Sequence, residues 1–311
     1  MSFVRLHNVV KRYGDKLSVD HLSLTIKQGE VFGLLGPNGA GKSTTIKMIS
    51  GLLQSDQGDI EIDGLSIRKN VLEVKSRIGV VPQEIAVYEN LSAKENLTFF
   101  GKLYGLRGKE LAARVDEALE FVGLSDRRSD KPGTFSGGMK RRLNIACAVV
   151  HGPKLIIMDE PTVGIDPQSR NHILESVQVL NQRGATVIYT SHYMEEVEAI
   201  STRIGVIDHG RLIANGSLKD LMAQISQEEK LLIETEGLSA AAVEEIERHA
   251  AVKRVSREEG KLEIYLNHSQ AYLQDILFIL SKNDVRIESL KSVEPDLETL
   301  FLMLTGRKLR D

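Results

Sequence analysis

The sequence predicts an α/β protein followed by a smaller α+β unit. Three observations carry that reading. Strand-like and helix-like patterns alternate over roughly the first 220 residues, as in a sheet flanked by helices. A glycine-rich loop, GPNGAGKS at 36–43, separates a short apolar strand from a helix. Beyond about residue 222 the pattern becomes strand, helix, strand, strand, helix, strand, the order of a ferredoxin-like domain.

LSLTIKQGE alternates Leu22, Leu24 and Ile26, as a half-buried strand does. GEVFGLLG is a strand ending at the loop, and KSTTIKMISGLL is the helix after it. GDIEIDG is another short strand between turns. Residues 92–122 read as helical: Ser92 with Glu95 forms a capping box, and Leu111, Val115, Ala118, Leu119 and Val122 recur at helical spacing. KLIIMD (154–159) and ATVIYTS (185–191) are apolar runs of the length of buried parallel strands. RIGVIDHGRLIANG suggests a hairpin turning at His209-Gly210. AQISQEEK (223–230) resembles a linker. After it, strands are expected at 231–236, 252–257, 261–267 and 285–290, with helices at 238–250, 270–281 and 296–305. The expected domains are therefore 1–222, with a helical part at about 84–150, and 229–311.

Bulk properties exclude several classes. A net charge of −3 in 311 residues gives no global attraction to nucleic acid or acidic lipid. The single cysteine, Cys147, allows neither an intrachain disulfide nor a cysteine metal cluster, which fits a reducing compartment. MSFVRLHNVVKRYG lacks a signal-peptide core, and no run approaches the ~18 apolar residues of a membrane span. Any membrane part is expected from another chain.

The loop carries the chemistry. Gly36, Asn38, Gly39, Ala40, Gly41, Lys42, Ser43 and Thr44 lie in or beside the pattern G-x-x-x-x-G-K-[ST], a P-loop. Phosphate oxygens need several backbone N–H groups at close range, which side chains would block. The following helix offers its N-terminus, Lys42 a charge for the β- and γ-phosphates, and Ser43 a hydroxyl for Mg2+. LIIMDE then places Asp159 at the carboxyl end of a strand, where it holds Mg2+ through water, and Glu160 beside it to orient or deprotonate the attacking water. Without the loop upstream, that acidic pair reads better as a solvated strand end.

FSGGMKRRLNIACAVVHGPKLIIMDEPTVGIDP (135–167) resembles the signature and Walker B region of ABC-type ATPases. The resemblance covers roughly residues 1–220 and several motifs in order. It implies a RecA-like core, an antiparallel β subdomain and a helical subdomain. It also implies two cassettes paired head to tail, with ATP held between one P-loop and the other chain's signature. By the same resemblance, Ser136, Gly137 and Gly138 are the signature donors to the γ-phosphate, and Asp166 lies at the dimer interface. Gln83, in VVPQE, is the Q-loop residue at Mg2+ or the attacking water; His192 is the switch histidine; Tyr13, in KRYG, stacks on adenine. Taken alone, Ser136 is an ordinary helix cap, Gln83 a polar loop residue, His192 a structural histidine and Tyr13 a strand-end aromatic. Phe135 stands where leucine is usual and Met139 where glutamine is common.

SGGMKRRL, PTVGIDPQSRN and LETLFLMLTGRKLRD resemble the ATP-binding subunits of ABC-2 type, daunorubicin-resistance-like exporters. That implies ATP and Mg2+ as ligands, a second ATP-binding subunit and polytopic membrane permease subunits as partners, no nucleic acid, and a peripheral place on the cytoplasmic face. Soluble ABC ATPases of DNA repair or translation usually carry coiled-coil insertions, zinc cysteines or tandem cassettes, and this chain has none. A low-turnover regulatory module is the third reading, and Glu160 with His192 weighs against it.

Overall fold

The computed structural model describes residues 2–223, 228–258, 260–267, 269–293 and 296–306. The chain divides into two compact units, one of residues 2–218 with 304–306 and the other of Lys219–Met303.

The first unit begins with β1 (Ser2–Tyr13), β2 (Lys16–Lys27), β3 (Val31–Leu35), α1 (Lys42–Ile49), β4 (Gln57–Ile62), β5 (Leu65–Ser66), α2 (Val71–Ser76) and β6 (Ile78–Val81). It continues through α3 (Ala93–Leu103), α4 (Gly108–Phe121), α5 (Gly137–Val149), β7 (Leu155–Asp159), α6 (Pro167–Gln182), β8 (Thr186–Thr190), α7 (Met194–Ile200), β9 (Arg203–Asp208) and β10 (Arg211–Gly216). A short α8 (Leu218–Met222) follows, and all of it but Leu218 belongs to the second unit. The central sheet has the order β10-β9-β3-β8-β7-β6, parallel from β9 to β6, with β10 antiparallel at one edge. β3 and β8 are buried at every position, which is why they read as continuous apolar runs. A separate antiparallel sheet, β2-β1-β4-β5, contributes Leu22, Leu24 and Ile26 to the same core. α3, α4 and α5 bury their own cluster around Leu97, Val115, Leu119 and Leu143.

The expected helix over 92–122 is two helices. Its capping box at Ser92 and Glu95 is present. At Gly105 the backbone turns left-handed (φ 91°), the Gly105 N–H donates to the Lys102 carbonyl, and the Leu106 N–H donates to the Gly101 carbonyl. These two bonds close α3 in a Schellman motif before α4 starts. The His209-Gly210 turn forms as expected, with positive φ at both residues.

The second unit comprises β11 (Glu228–Glu236), α9 (Ala240–Glu247), β12 (Val252–Glu258), β13 (Lys261–Asn267), α10 (Ser269–Lys282) and β14 (Arg286–Val293), followed by α11 (Leu297–Thr305). Its antiparallel sheet runs β12-β13-β11-β14, the ferredoxin-like order. Leu231, Ile233, Leu262, Ile264, Ile276 and Leu280 share its core. Half of the expected linker, residues 224–227, lies outside the described residues, and residues 228–230 belong to β11 instead.

His151, after α5, stacks on the Tyr104 ring at 3.5 Å between centroids. Its Nε2 donates to the Ile78 carbonyl at 3.2 Å, and burial pushes its pKa down to about 4. Because the folded value lies below the unfolded one, the stability contributed here is present above about pH 6.5 and drains away as pH falls toward 4. That loss should be on the order of 3 kcal/mol. Melting of wild type and His151→Phe from pH 7.5 to 4 checks it: the variant should lack that component, and parallel pH profiles would contradict it.

Candidate functional site

Three strand ends converge at the carboxyl edge of the parallel sheet, where open α/β sheets bind ligands. β3 runs into the 36–41 loop, β7 ends at Asp159 and β8 at Thr190. A cavity of about 420 Å3 opens there, lined by residues 37–44 with Tyr13, Lys16, Ser18, Gln83, Glu160 and His192.

The loop is braced from behind. Gly41 caps α1 with φ 105°, and a Cβ there would lie 2.5 Å from the Ser18 carbonyl oxygen. The Ala40 carbonyl accepts from the Gly210 N–H at 2.9 Å, so the β9–β10 turn supports the loop. No acidic residue occupies the first turn of α1, and its N–H groups and dipole favour an anion. Lys42 is buried, and its ammonium donates to the Gly36 and Pro37 carbonyls, the second at 3.2 Å. Burial pushes that ammonium's pKa down, while the Glu160 and Asp159 carboxylates oppose the shift. A buried cation resting on carbonyls gains by meeting an anion.

The opposite wall is set by the parallel register that pairs Asp159 with Thr190. The Thr190 hydroxyl donates to Asp159 Oδ1 at 2.8 Å and accepts from the Glu160 N–H at 2.9 Å. Burial raises the Asp159 pKa, with the Thr190 hydrogen bond opposing. Glu160 takes a left-handed backbone (φ 49°), and its Oε1 lies 2.6 Å from His192 Nε2.

The sequence-expected residues thus fall into two groups. Tyr13, Asn38, Gly39, Ala40, Gly41, Lys42, Ser43, Thr44, Gln83, Glu160 and His192 line the cavity, while Gly36 and Asp159 do not line it but bond to Lys42 and Thr190 respectively. Ser136, Gly137, Gly138 and Asp166 do not line it. Ser136 caps α5 by accepting from the Met139 N–H, and Asp166 caps α6 by accepting from the Ser169 N–H. Those two helix starts touch: a Cβ on Gly138 would lie 2.1 Å from Ser169 Oγ.

Four residues went unmarked in the sequence. Thr190 joins the two carboxylate residues. Arg141, on α5, donates to the carbonyls of Pro82 and Gln83. Asn144 accepts from the Ala86 N–H at 3.3 Å. Glu196 is a buried carboxylate behind His192. In sequence, Arg141 and Glu196 sit in charged runs, KRR and EEVE, that read as solvated helix faces.

Comparison with known proteins agrees with this geometry. A family model described as ABC transporter matches residues 19–163, and one described as ATP-binding protein DrrA1-3-like, C-terminal domain, matches 216–305. The linearmycin resistance ATP-binding protein LnrL of Bacillus subtilis (strain 168) is 51% identical over 310 residues, covering 99% of this chain and 100% of that protein. The chain belongs to the ABC transporter ATP-binding proteins. As such it binds ATP and hydrolyses it as a transporter subunit. The daunorubicin resistance ATP-binding protein DrrA2 of Streptomyces coeruleorubidus is 36% identical, covering 98% of this chain and 95% of that one. Among solved structures, the ATP-binding cassette MJ0796, dimeric and bound to ADP and Pi, matches at 28% identity with a TM-score of 0.63, covering 69% of this chain and 98% of that one.

Replacing Lys42 with alanine should weaken ATP binding by about 2 kcal/mol or more, roughly 30-fold in Kd. Titration with a fluorescent ATP analogue checks this, and unchanged affinity would contradict the role of the ammonium.

Proposed function

We propose that this chain drives export, working as one of two identical cassettes on separate membrane permease subunits at the cytoplasmic face. Residues 1–222 supply the ATPase, with 84–150 as its helical subdomain, and 229–311 form an accessory domain. The observation that carries the reading is a division of parts. Glu160 and His192 stand 2.6 Å apart at the cavity, while Ser136 is exposed and lines no part of it. Each chain therefore holds a base without the signature donors, and a second copy, head to tail, supplies them. The solved MJ0796 dimer and the names of the resistance relatives LnrL and DrrA2 support this reading.

In this mechanism Tyr13 stacks on adenine. The 36–44 loop and Lys42 take the phosphates. Ser136, Gly137 and Gly138 of the second copy meet the γ-phosphate, with Asp166 at the interface between copies. Glu160 takes the proton of the attacking water, and His192 holds that carboxylate and faces the γ-phosphate. Mg2+ fits the donors present: a hydroxyl at Ser43, the Gln83 amide and one deep carboxylate at Asp159. Among the described residues no group of three His, Cys, Asp or Glu forms a cage, which suits an ion that keeps its waters and takes one or two carboxylates with phosphate oxygens. When bound there it neutralises phosphate charge.

Among the described residues no helix is long and apolar enough to cross a membrane. A docking face for a permease lies beside Gln83. Ile85 and Tyr88 are exposed, and the Tyr88 ring meets the exposed Phe99 edge-on at 4.9 Å. Val87, between them in sequence, packs against the α3–α5 core.

Glu160→Gln should bind ATP normally, lower hydrolysis by about 100-fold or more, and accumulate as an ATP-dependent dimer. Adding Ser136→Glu should return it to monomer. Light scattering with parallel ATPase assays decides; an active Glu160→Gln chain, or one that stays monomeric at saturating ATP, would contradict the proposal.

A further inference from the structure

We infer that Glu196 is the positioning residue that ties this chain's catalytic pair to the surface receiving the second copy's nucleotide. The inference rests on the proposed dimer. Glu196 is 2% exposed, on α7. Its Oε2 accepts from three hydroxyls: Thr162 at 2.8 Å, Tyr189 at 2.9 Å and Ser191 at 2.7 Å. Its Oε1 faces Arg170 Nε at 3.3 Å. A carboxylate suits that company: an amide with its oxygen at the Oε2 position would turn its NH2 toward Arg170.

The donors come from separate parts of the site. Thr162 lies two residues beyond Glu160 and Ser191 one residue before His192. Ser191 Oγ also accepts from the Tyr193 N–H at 2.9 Å, so the network grips His192 from both sides. Arg170 lies in the first turns of α6, and its guanidinium also covers the Tyr193 ring at 4.1 Å. Its neighbour Ser169 is the residue pressed against Gly138. Arg170 and Ser169 both hang on Asp166: the Arg170 N–H donates to its carbonyl, and the Ser169 N–H to its carboxylate.

A continuous path results: Gly138 to Ser169, Arg170 to Glu196, Glu196 to Ser191, and His192 to Glu160. Its far end is the signature that meets the other copy's ATP. Its near end is the base for this chain's own ATP. Shifting the start of α6 moves the charge opposite Oε1, and a buried carboxylate resists losing its ion partner. Glu196 thereby sets the Glu160–His192 geometry according to whether the neighbouring site is filled.

The test uses the full chain. Arg170→Met leaves Glu196 its three hydroxyl donors and should preserve folding. Steady-state ATPase, ATP affinity and melting are measured for wild type, Arg170→Met, Arg170→Lys and Glu196→Gln. ATP-driven dimerisation is measured with Arg170→Met and without it in the Glu160→Gln background. For Arg170→Met and Glu196→Gln, kcat should fall about tenfold while KM for ATP stays within about twofold. Arg170→Lys should recover part of the rate, and the dimer should form with or without Arg170. Wild-type kcat in folded Arg170→Met overturns the proposal. So does a loss of rate matched by equal losses of ATP affinity and melting temperature, which marks a purely structural carboxylate. Failure of the Arg170-intact chain to dimerise would overturn the underlying dimer reading, and the proposal with it.

Discussion

The register between β7 and β8 is the constraint on which the site depends. Asp159 lies opposite Thr190, and one hydroxyl on Thr190 then serves both Asp159 and the Glu160 N–H. A slip of one residue would turn every side chain of the strand to the other face and separate these partners. The left-handed backbone at Glu160 costs roughly 1 kcal/mol or more in a residue with a Cβ. Bonds from its N–H to the carbonyl and hydroxyl of Thr190 hold it there. That turn brings the Glu160 carboxylate to His192.

The glycine-rich loop fits the same frame from the other side. β3 pairs with β8, so Leu34 sits opposite Thr190 and the loop starts two residues later. Lys42 and the two carboxylates then sense one another, as the opposing influences on the Lys42 pKa show. The signature obeys a different requirement. Ser136 is spent locally as a helix cap and stays exposed, while Gly138 gives up its side chain so that α5 and α6 can meet. On the proposed reading, one chain carries two incomplete half-sites.

The sequence made the loop and the buried strands legible because their function and burial demand composition: bare backbone for phosphate, unbroken apolar runs for a two-sided sheet. The ferredoxin-like order of the second unit was legible from element order alone. The division between α3 and α4 was missed although Gly105 was visible, because apolar spacing continues across the break while the backbone does not. Arg141 and Glu196 were invisible for a stronger reason. A charged residue on a helix looks the same whether it meets water or three buried hydroxyls, and only tertiary placement separates the two.

That each chain holds two half-sites is the central claim, and complementation between two inactive chains tests it directly. Lys42→Ala has a dead loop and an intact signature; Ser136→Glu has the reverse. Each alone should show almost no ATPase. A mixed dimer unites the intact loop of one with the intact signature of the other, so ATPase should reappear on mixing and rise to a maximum near equal proportions. Mixtures no more active than the sum of the separate chains, at concentrations where wild type is active, would contradict the account.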